Sequence, residues 1–209
     1  MCIRDRRKAH VYLQDGSVLE DDLRCLALMQ HHGAPTRLVD FTKSPFVAAF
    51  FALWHLQGDA AVFALNTPAL WKAAPRFDPS LHRDVIDLRK PGNYQRYFAN
   101  NNHGLVWFGE PNQMDARLVA QSGILVVPGM LDVPLETLLA GYDSDEPLLR
   151  KFILPAQVRE EALRALYRMN ITAATLFPGL DGLARSIGYE LEMVWEQLIV
   201  DYRQRLSTD

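Results

Sequence analysis

The spacing of apolar positions changes several times along the chain, and each change marks an element. From Asp21 to Gln30, Leu23, Leu26, Ala27 and Met29 fall on one helical stripe, with Asp21 and Asp22 where negative charge favours a helix N-terminus. His31-His32-Gly33 breaks that pattern, and Gly33 and Pro35 mark a turn. Arg37 to Thr42 alternates as a short strand does. Ser44-Pro45 predicts a helix start, because Ser supplies a capping oxygen and Pro at the first helical position loses no needed N–H. The helix predicted from Pro45 to Gln57 is apolar nearly all round, from Phe46 to Trp54, so it is expected to be central and buried, with Gly58 ending it.

Ala60 to Leu65 reads as a buried strand, and Thr67 to Pro91, rich in proline, as a variable loop or lid with at most a short helix. Leu105 to Phe108, Arg117 to Gln121 and Gly123 to Val127 are expected as strands, the last two joined by a bulge or tight kink. Pro134 to Ala140 predicts a short helix, Leu149 to Leu154 a strand, and Pro155 to about Asn170 a helix. After Phe177-Pro178-Gly179, a long C-terminal helix repeats Leu180, Leu183, Ile187, Leu191, Val194 and Leu198 at three- and four-residue steps. No regular βαβ spacing and no internal repeat is visible.

Composition narrows the class without naming an activity. The 209 residues are 49% hydrophobic and 22% charged, as in a soluble globular protein, and a single domain is expected. A formal net charge of −3 supplies no global basic field for a phosphate backbone, so general nucleic-acid binding is not expected. Two cysteines, Cys2 and Cys25, are too few for a disulfide framework or a cysteine-rich zinc site. With no signal peptide and no apolar run long enough to span a bilayer, the chain reads as cytoplasmic without a membrane partner. The opening MCIRDRRKAH prepares no later element, and Met1 to Arg6 resembles translated adapter sequence. Residues 1–20 are therefore expected to be a non-native or disordered remnant, and the fold to occupy residues 21–206.

There is no GxGxxG, P-loop, GxSxG, HExxH or CxxC signature. The six histidines are dispersed apart from His31 and His32, and chain neighbours make a poor metal clamp, so no metal site is expected. The dense segment is QHHGAPTRLVDFTKSPFVAAFFA, from Gln30 to Ala52. It gathers Gln30, His31, His32, Thr36, Arg37, Asp40, Thr42 and Ser44 at the mouth of an apolar helix, where polar groups need partners. Two readings stand: the cluster lines a cleft, or it serves the fold, with Arg37 pairing Asp40 and Thr42 and Ser44 capping the helix.

The run QHHGAPTRLVDFTKSP followed by FVAAFFA resembles the hallmark of the FRG domain. Asp115-Ala-Arg117-Leu-Val-Ala-Gln121-Ser-Gly123 resembles the family's Arg and Gln-x-Gly strand, and Thr175-Leu-Phe-Pro-Gly-Leu-Asp181-Gly-Leu183 its late L-F-P-x-L-[DE]-G-L element. The resemblance spans Leu26 to Ala184. The F-R-G tripeptide that lies upstream in the family has no counterpart here, in keeping with a true start farther upstream.

The motif layout is similar to ADP-ribosyltransferases of the Arg/Ser/Glu type. On that resemblance Thr42-Lys43-Ser44 takes the Ser-Thr-Ser place and Ala48, Phe51 and Ala52 the helix pattern. It implies Arg37 for a dinucleotide diphosphate, hydroxyls beside the nicotinamide ribose, and a carboxylate to stabilise oxocarbenium charge. Arg37, Asp40, Glu110 and Asp181 are the expected catalytic residues, with Asp115 a further carboxylate candidate. Gln30, His31, His32, Thr36, Thr42, Ser44 and Gln121 are expected to bind the nucleotide. NAD is the expected substrate, no cofactor is required, and a microbial toxin or defence setting is implied. The alternative is a non-catalytic module that senses a ligand or partner.

The expected fold is α+β: a curved mixed or antiparallel sheet with the Pro45 helix buried against it and the C-terminal helix covering one face, possible kin of the ADP-ribosyltransferase fold. Asn100-Asn101-Asn102-His103-Gly104 reads as a polar turn, and Arg83, Arg89, Lys90, Arg96, Arg150 and Lys151 as scattered, solvated charges. Trp195, among Glu190, Glu192 and Glu196, reads as helix-face packing.

Overall fold

A computed structural model describes residues 11–13, 15–55 and 58–206, so the opening segment, including Cys2, lies outside the described residues. Helices and strands are mixed as an α+β chain. The strands form small sheets rather than the one curved sheet expected. Strand β1 (Val39–Thr42) neighbours β5 (Gly123–Pro128), which pairs antiparallel with β4 (Val106–Gly109) in register Val106↔Pro128 to Gly109↔Leu125. Strand β2 (Ala60–Leu65) pairs with β7 (Leu149–Leu154), and the two-residue β3 (Ala74–Pro75) with β6 (Tyr142–Asp143).

The chain divides into two compact units: Met1–Phe41, Phe63–Met114 and Ile124–Arg150, and Thr42–Val62, Asp115–Gly123 and Lys151–Asp209. In the first unit, a 3-10 turn (Gly16–Glu20) buries Val18 and precedes helix α1 (Asp22–His31), which Asp21 caps by accepting the Arg24 N–H at 3.0 Å. The core packs Leu70, Val106, Phe108, Val126, Leu138, Leu139, Tyr142 and Leu148 together, supplied by α3 (Thr67–Lys72), the sheet and α5 (Leu135–Ala140). The segment from Thr67 to Pro91 is, as expected, mostly turns with one short helix, α3, but it is no lid: it buries Leu70, Leu81, Ile86 and Leu88. Its apolar residues are too widely spaced to show a period, and they are held by turns instead.

Strand β4 ends the three-stranded sheet, and its outward backbone groups are taken by side chains. The buried Tyr142 hydroxyl accepts the Val106 N–H at 2.7 Å and donates to the Val106 carbonyl at 3.2 Å, and Arg83 Nη2 donates to the Phe108 carbonyl at 3.0 Å. These bonds occupy the positions a further strand would use. Burial pushes the Tyr142 phenol up to about 12, with the Val106 bond pulling the other way.

In the second unit, helix α2 (Pro45–Leu53) starts as predicted, Ser44 Oγ accepting the Val47 N–H at 3.3 Å, but it stops short of Gln57. Arg159 closes it, donating to the carbonyls of Leu53 at 2.8 Å and Trp54 at 3.0 Å. The helix is not buried all round: Val47, Phe50 and Leu53 face the core, whereas Phe46 and Phe51 are exposed. The core adds Leu163 and Leu166 from α6 (Arg159–Arg168) and Ala173 and Leu176 from α7 (Ala173–Leu176).

The strand expected over Arg117 to Gln121 is helix α4 (Ala116–Ala120). Asp115 caps it by accepting the Leu118 N–H at 2.8 Å, and Ser122, at φ 48°, makes the turn into β5. The C-terminal element runs through α8 (Leu180–Tyr189), a π turn (Glu190–Trp195) and α9 (Glu196–Leu206). It does not cover a face with its apolar stripe: Leu180, Leu183, Ile187, Leu191 and Leu198 are exposed, and Trp195 is half exposed rather than packed.

Candidate functional site

In the second unit, three segments singled out in the sequence meet. Thr42 Oγ1 donates to the Gln121 carbonyl at 2.7 Å and accepts the Ser44 N–H at 3.0 Å, and the Lys43 N–H donates to the Ser122 carbonyl at 3.0 Å. Gln121 Nε2 donates to the Leu176 carbonyl at 3.0 Å, which ties α4 to the end of α7. The next residue, Phe177, stacks edge-on against Phe51 of α2 with centroids 5.8 Å apart. Gly182 lets α8 approach: a Cβ there would lie 1.9 Å from the Phe177 carbonyl oxygen.

Two guanidinium groups gather on the Phe177 ring, Arg117 at 4.8 Å and Arg185 at 5.3 Å from its centroid. Among the described residues neither forms an ion pair. Asp181 lies exposed in the first turn of α8, where the helix dipole favours its charge. The hydroxyls of Thr42 and Ser44 and the amide of Gln121 are already spent on backbone groups, so they build the surface rather than face a ligand. Asp115 is likewise committed as a helix cap.

In the first unit, the other predicted residues are also drawn into the fold. The Thr36 hydroxyl donates to Gln30 Oε1, and it accepts the Leu38 N–H at 3.2 Å. His31 ends α1 and His32 is its C-cap, their rings edge-on at 5.0 Å. Arg37 is buried and donates to the Phe98 carbonyl and, at 3.4 Å, to that of Pro128, with Tyr94 5.7 Å from its guanidinium carbon. Asp40 is exposed on β1, and no ion pair joins it to Arg37 among the described residues. Glu110 follows β4, half-buried.

The charges read as scattered include one that is not solvated. Arg83 is 6% exposed, its guanidinium carbon 3.7 Å from the Trp71 ring centroid and its Nη1 3.7 Å from Asp84. Its Nε and the Trp107 Nε1 are buried without a hydrogen-bond partner among the described residues. Burial pulls the Arg83 guanidinium below its usual range, against the charge of Asp87. Arg89 forks onto the buried Asp87 carboxylate at 2.9 and 2.7 Å. Burial raises that carboxyl, but the Arg89 side-chain and backbone bonds outweigh it and hold it below the usual carboxylate range. A hint was present in HRDVIDLR, where Ile86 and Leu88 flank Asp87.

No group of three or more His, Cys, Asp or Glu among the described residues could hold a metal ion. No helix among them is long and apolar enough to cross a membrane. The molecule is an α+β chain in whose second unit the TKS, ARLVAQSG and TLFPGLDGL segments adjoin. The chain is FRG domain-containing, and the family model for the FRG domain matches residues 3–59. No curated protein and no solved structure matches it.

Proposed function

We propose that the second unit recognises an anionic nucleotide of NAD type. The observation that carries this reading is the pair Arg117 and Arg185 on Phe177, without carboxylate partners among the described residues. Guanidinium forks match phosphate oxygens two bonds at a time, and a diphosphate offers acceptors to both. Exposed Phe51 and half-buried Phe177 offer faces for a base or nicotinamide ring. The reaction expected of such a site is cleavage of the nicotinamide glycosidic bond, as ADP-ribosyl transfer or NAD hydrolysis on an ADP-ribosyltransferase-like plan. Asp181, exposed in the first turn of α8 and not used as a cap, would stabilise the oxocarbenium charge. In a microbial toxin or defence setting the substrate would be cytoplasmic NAD.

A second reading, a ligand-sensing module without catalysis, is favoured by the spending of Thr42, Ser44 and Gln121 on the backbone. Calorimetric titration with NAD and with ADP-ribose, together with an assay of nicotinamide release, separates the two. Binding with release that Asp181→Asn abolishes supports the enzyme. Binding without release supports the sensor. No heat with either ligand overturns nucleotide recognition.

A further inference from the structure

Each residue of the string Arg117, Gln121 and Gly123 meets a different neighbour in the second unit. Arg117 is half-buried, its guanidinium carbon 4.8 Å from the Phe177 ring centroid. Gly123 makes room for Leu118: a Cβ there would lie 2.4 Å from Leu118 Cδ1 and 3.1 Å from the Leu118 carbonyl oxygen. Gln121 closes α4, its N–H donating to the Arg117 carbonyl at 3.0 Å, so the two residues stand one helical turn apart.

The Gln121 side chain reaches the segment that carries the ring. Its Nε2 donates at 3.0 Å to the Leu176 carbonyl, at the end of α7, where a helix leaves its last carbonyls without an N–H of its own. That carbonyl shares its planar peptide unit with the Phe177 nitrogen. One hydrogen bond therefore links the helix of Arg117 to the backbone that aims the ring. On its other side the Gln121 carbonyl accepts the Thr42 hydroxyl at 2.7 Å, and the Ser122 carbonyl accepts the Lys43 N–H at 3.0 Å, which fixes the end of α4 to the segment ahead of α2. Arg185 comes to the same ring by another route. It lies three residues past Gly182 on α8, and Gly182 seats that helix against the Phe177 carbonyl.

We infer that Gln121 is a positioning residue of the nucleotide site: its amide, donating to the Leu176 carbonyl, holds Arg117 on Phe177 beside Arg185, so that both guanidinium groups serve one diphosphate. This rests on the nucleotide reading given above. The role needs a donor and not length alone, because a side chain of the same reach without an N–H has nothing to give that carbonyl.

Gln121→Met keeps the reach and removes the donor, and two measurements on the full chain test it. By NMR, the Arg117 δ protons carry a ring-current shift from Phe177, calibrated with Phe177→Leu. In Gln121→Met the Arg117 shift should fall to the Phe177→Leu value while Arg185 keeps its own; loss of both shifts, or of neither, overturns the inference. By calorimetric titration with ADP-ribose, Gln121→Met should weaken binding roughly tenfold, Arg117→Ala about as much, and the double variant no further. A residue that acts on the fold alone would add its loss to that of Arg117→Ala, so an additive loss, or parental affinity in Gln121→Met, also overturns it. A parent that binds no ADP-ribose overturns the nucleotide reading instead, and the two arginine shifts then decide whether Gln121 holds Arg117.

Discussion

Arg83 in the first unit is stacked on Trp71 and bonded to the Phe108 carbonyl, whereas Arg117 and Arg185 in the second lie on Phe177 without an ion pair among the described residues. The same side chain closes a sheet edge in one place and leaves charge available in the other. The difference follows from what surrounds each guanidinium. A buried cation must find acceptors at once, because leaving it unmatched costs several kcal/mol. A cation on a partly exposed ring keeps its hydration and can exchange water for a ligand's oxygens. The arginine expected to hold a diphosphate, Arg37, belongs with Arg83: its donors already serve the Phe98 and Pro128 carbonyls.

If that contrast holds, the largest effect comes from emptying the buried sites. Arg83→Ala and Arg37→Ala each strip a charged donor from buried carbonyls and should cost about 3 kcal/mol, or roughly 6–12 °C in melting temperature. Calorimetry that finds either variant within about 2 °C of the parent would break the comparison. The Tyr142 plug on β4 should show in alkali. Its folded phenol, at about 12, stays protonated where the unfolded one, at 10.0, ionises. Stability should be full below pH 10.0 and fall between 10.0 and about 12, by roughly 3 kcal/mol, and Tyr142→Phe should flatten that limb of a denaturant titration. Asp87 gives the opposite sign: its folded carboxyl titrates below the unfolded value of 3.8, so its contribution is present above that pH and disappears as pH falls through the folded value.

Smaller effects sharpen the second unit. Gly182→Ala must push α8 away from Phe177 and should cost about 2 kcal/mol, with a loss of ligand affinity if the two arginines act together. Arg117→Ala and Arg185→Ala should each change stability by less than about 0.5 kcal/mol.

What could be read from the chain divides along the same line. Ser44-Pro45 announced its helix because the cap is local, and the three motif segments were visible as strings. Their junction through Thr42, Gln121 and Leu176 was not, since long-range hydrogen bonds leave no spacing signal. Arg117 to Gln121 was read as a strand because a short apolar run has no period of its own. The deciding feature was the Asp115 cap one residue ahead of the helix. Arg83 looked solvated because burial of a charge depends on Trp71 and Phe108, distant in sequence. The exposed faces of α2 leave no signal in the sequence, because an all-apolar helix does not say which side is covered.

The most direct measurement is the melting temperature with and without NAD at about 100 times its dissociation constant, for the parent and for Arg117→Ala/Arg185→Ala. The account predicts ligand stabilisation of about 2.7 kcal/mol for the parent, with the double variant melting where the unliganded parent does and gaining nothing from NAD. An equal gain in both proteins, or none in the parent, would contradict it.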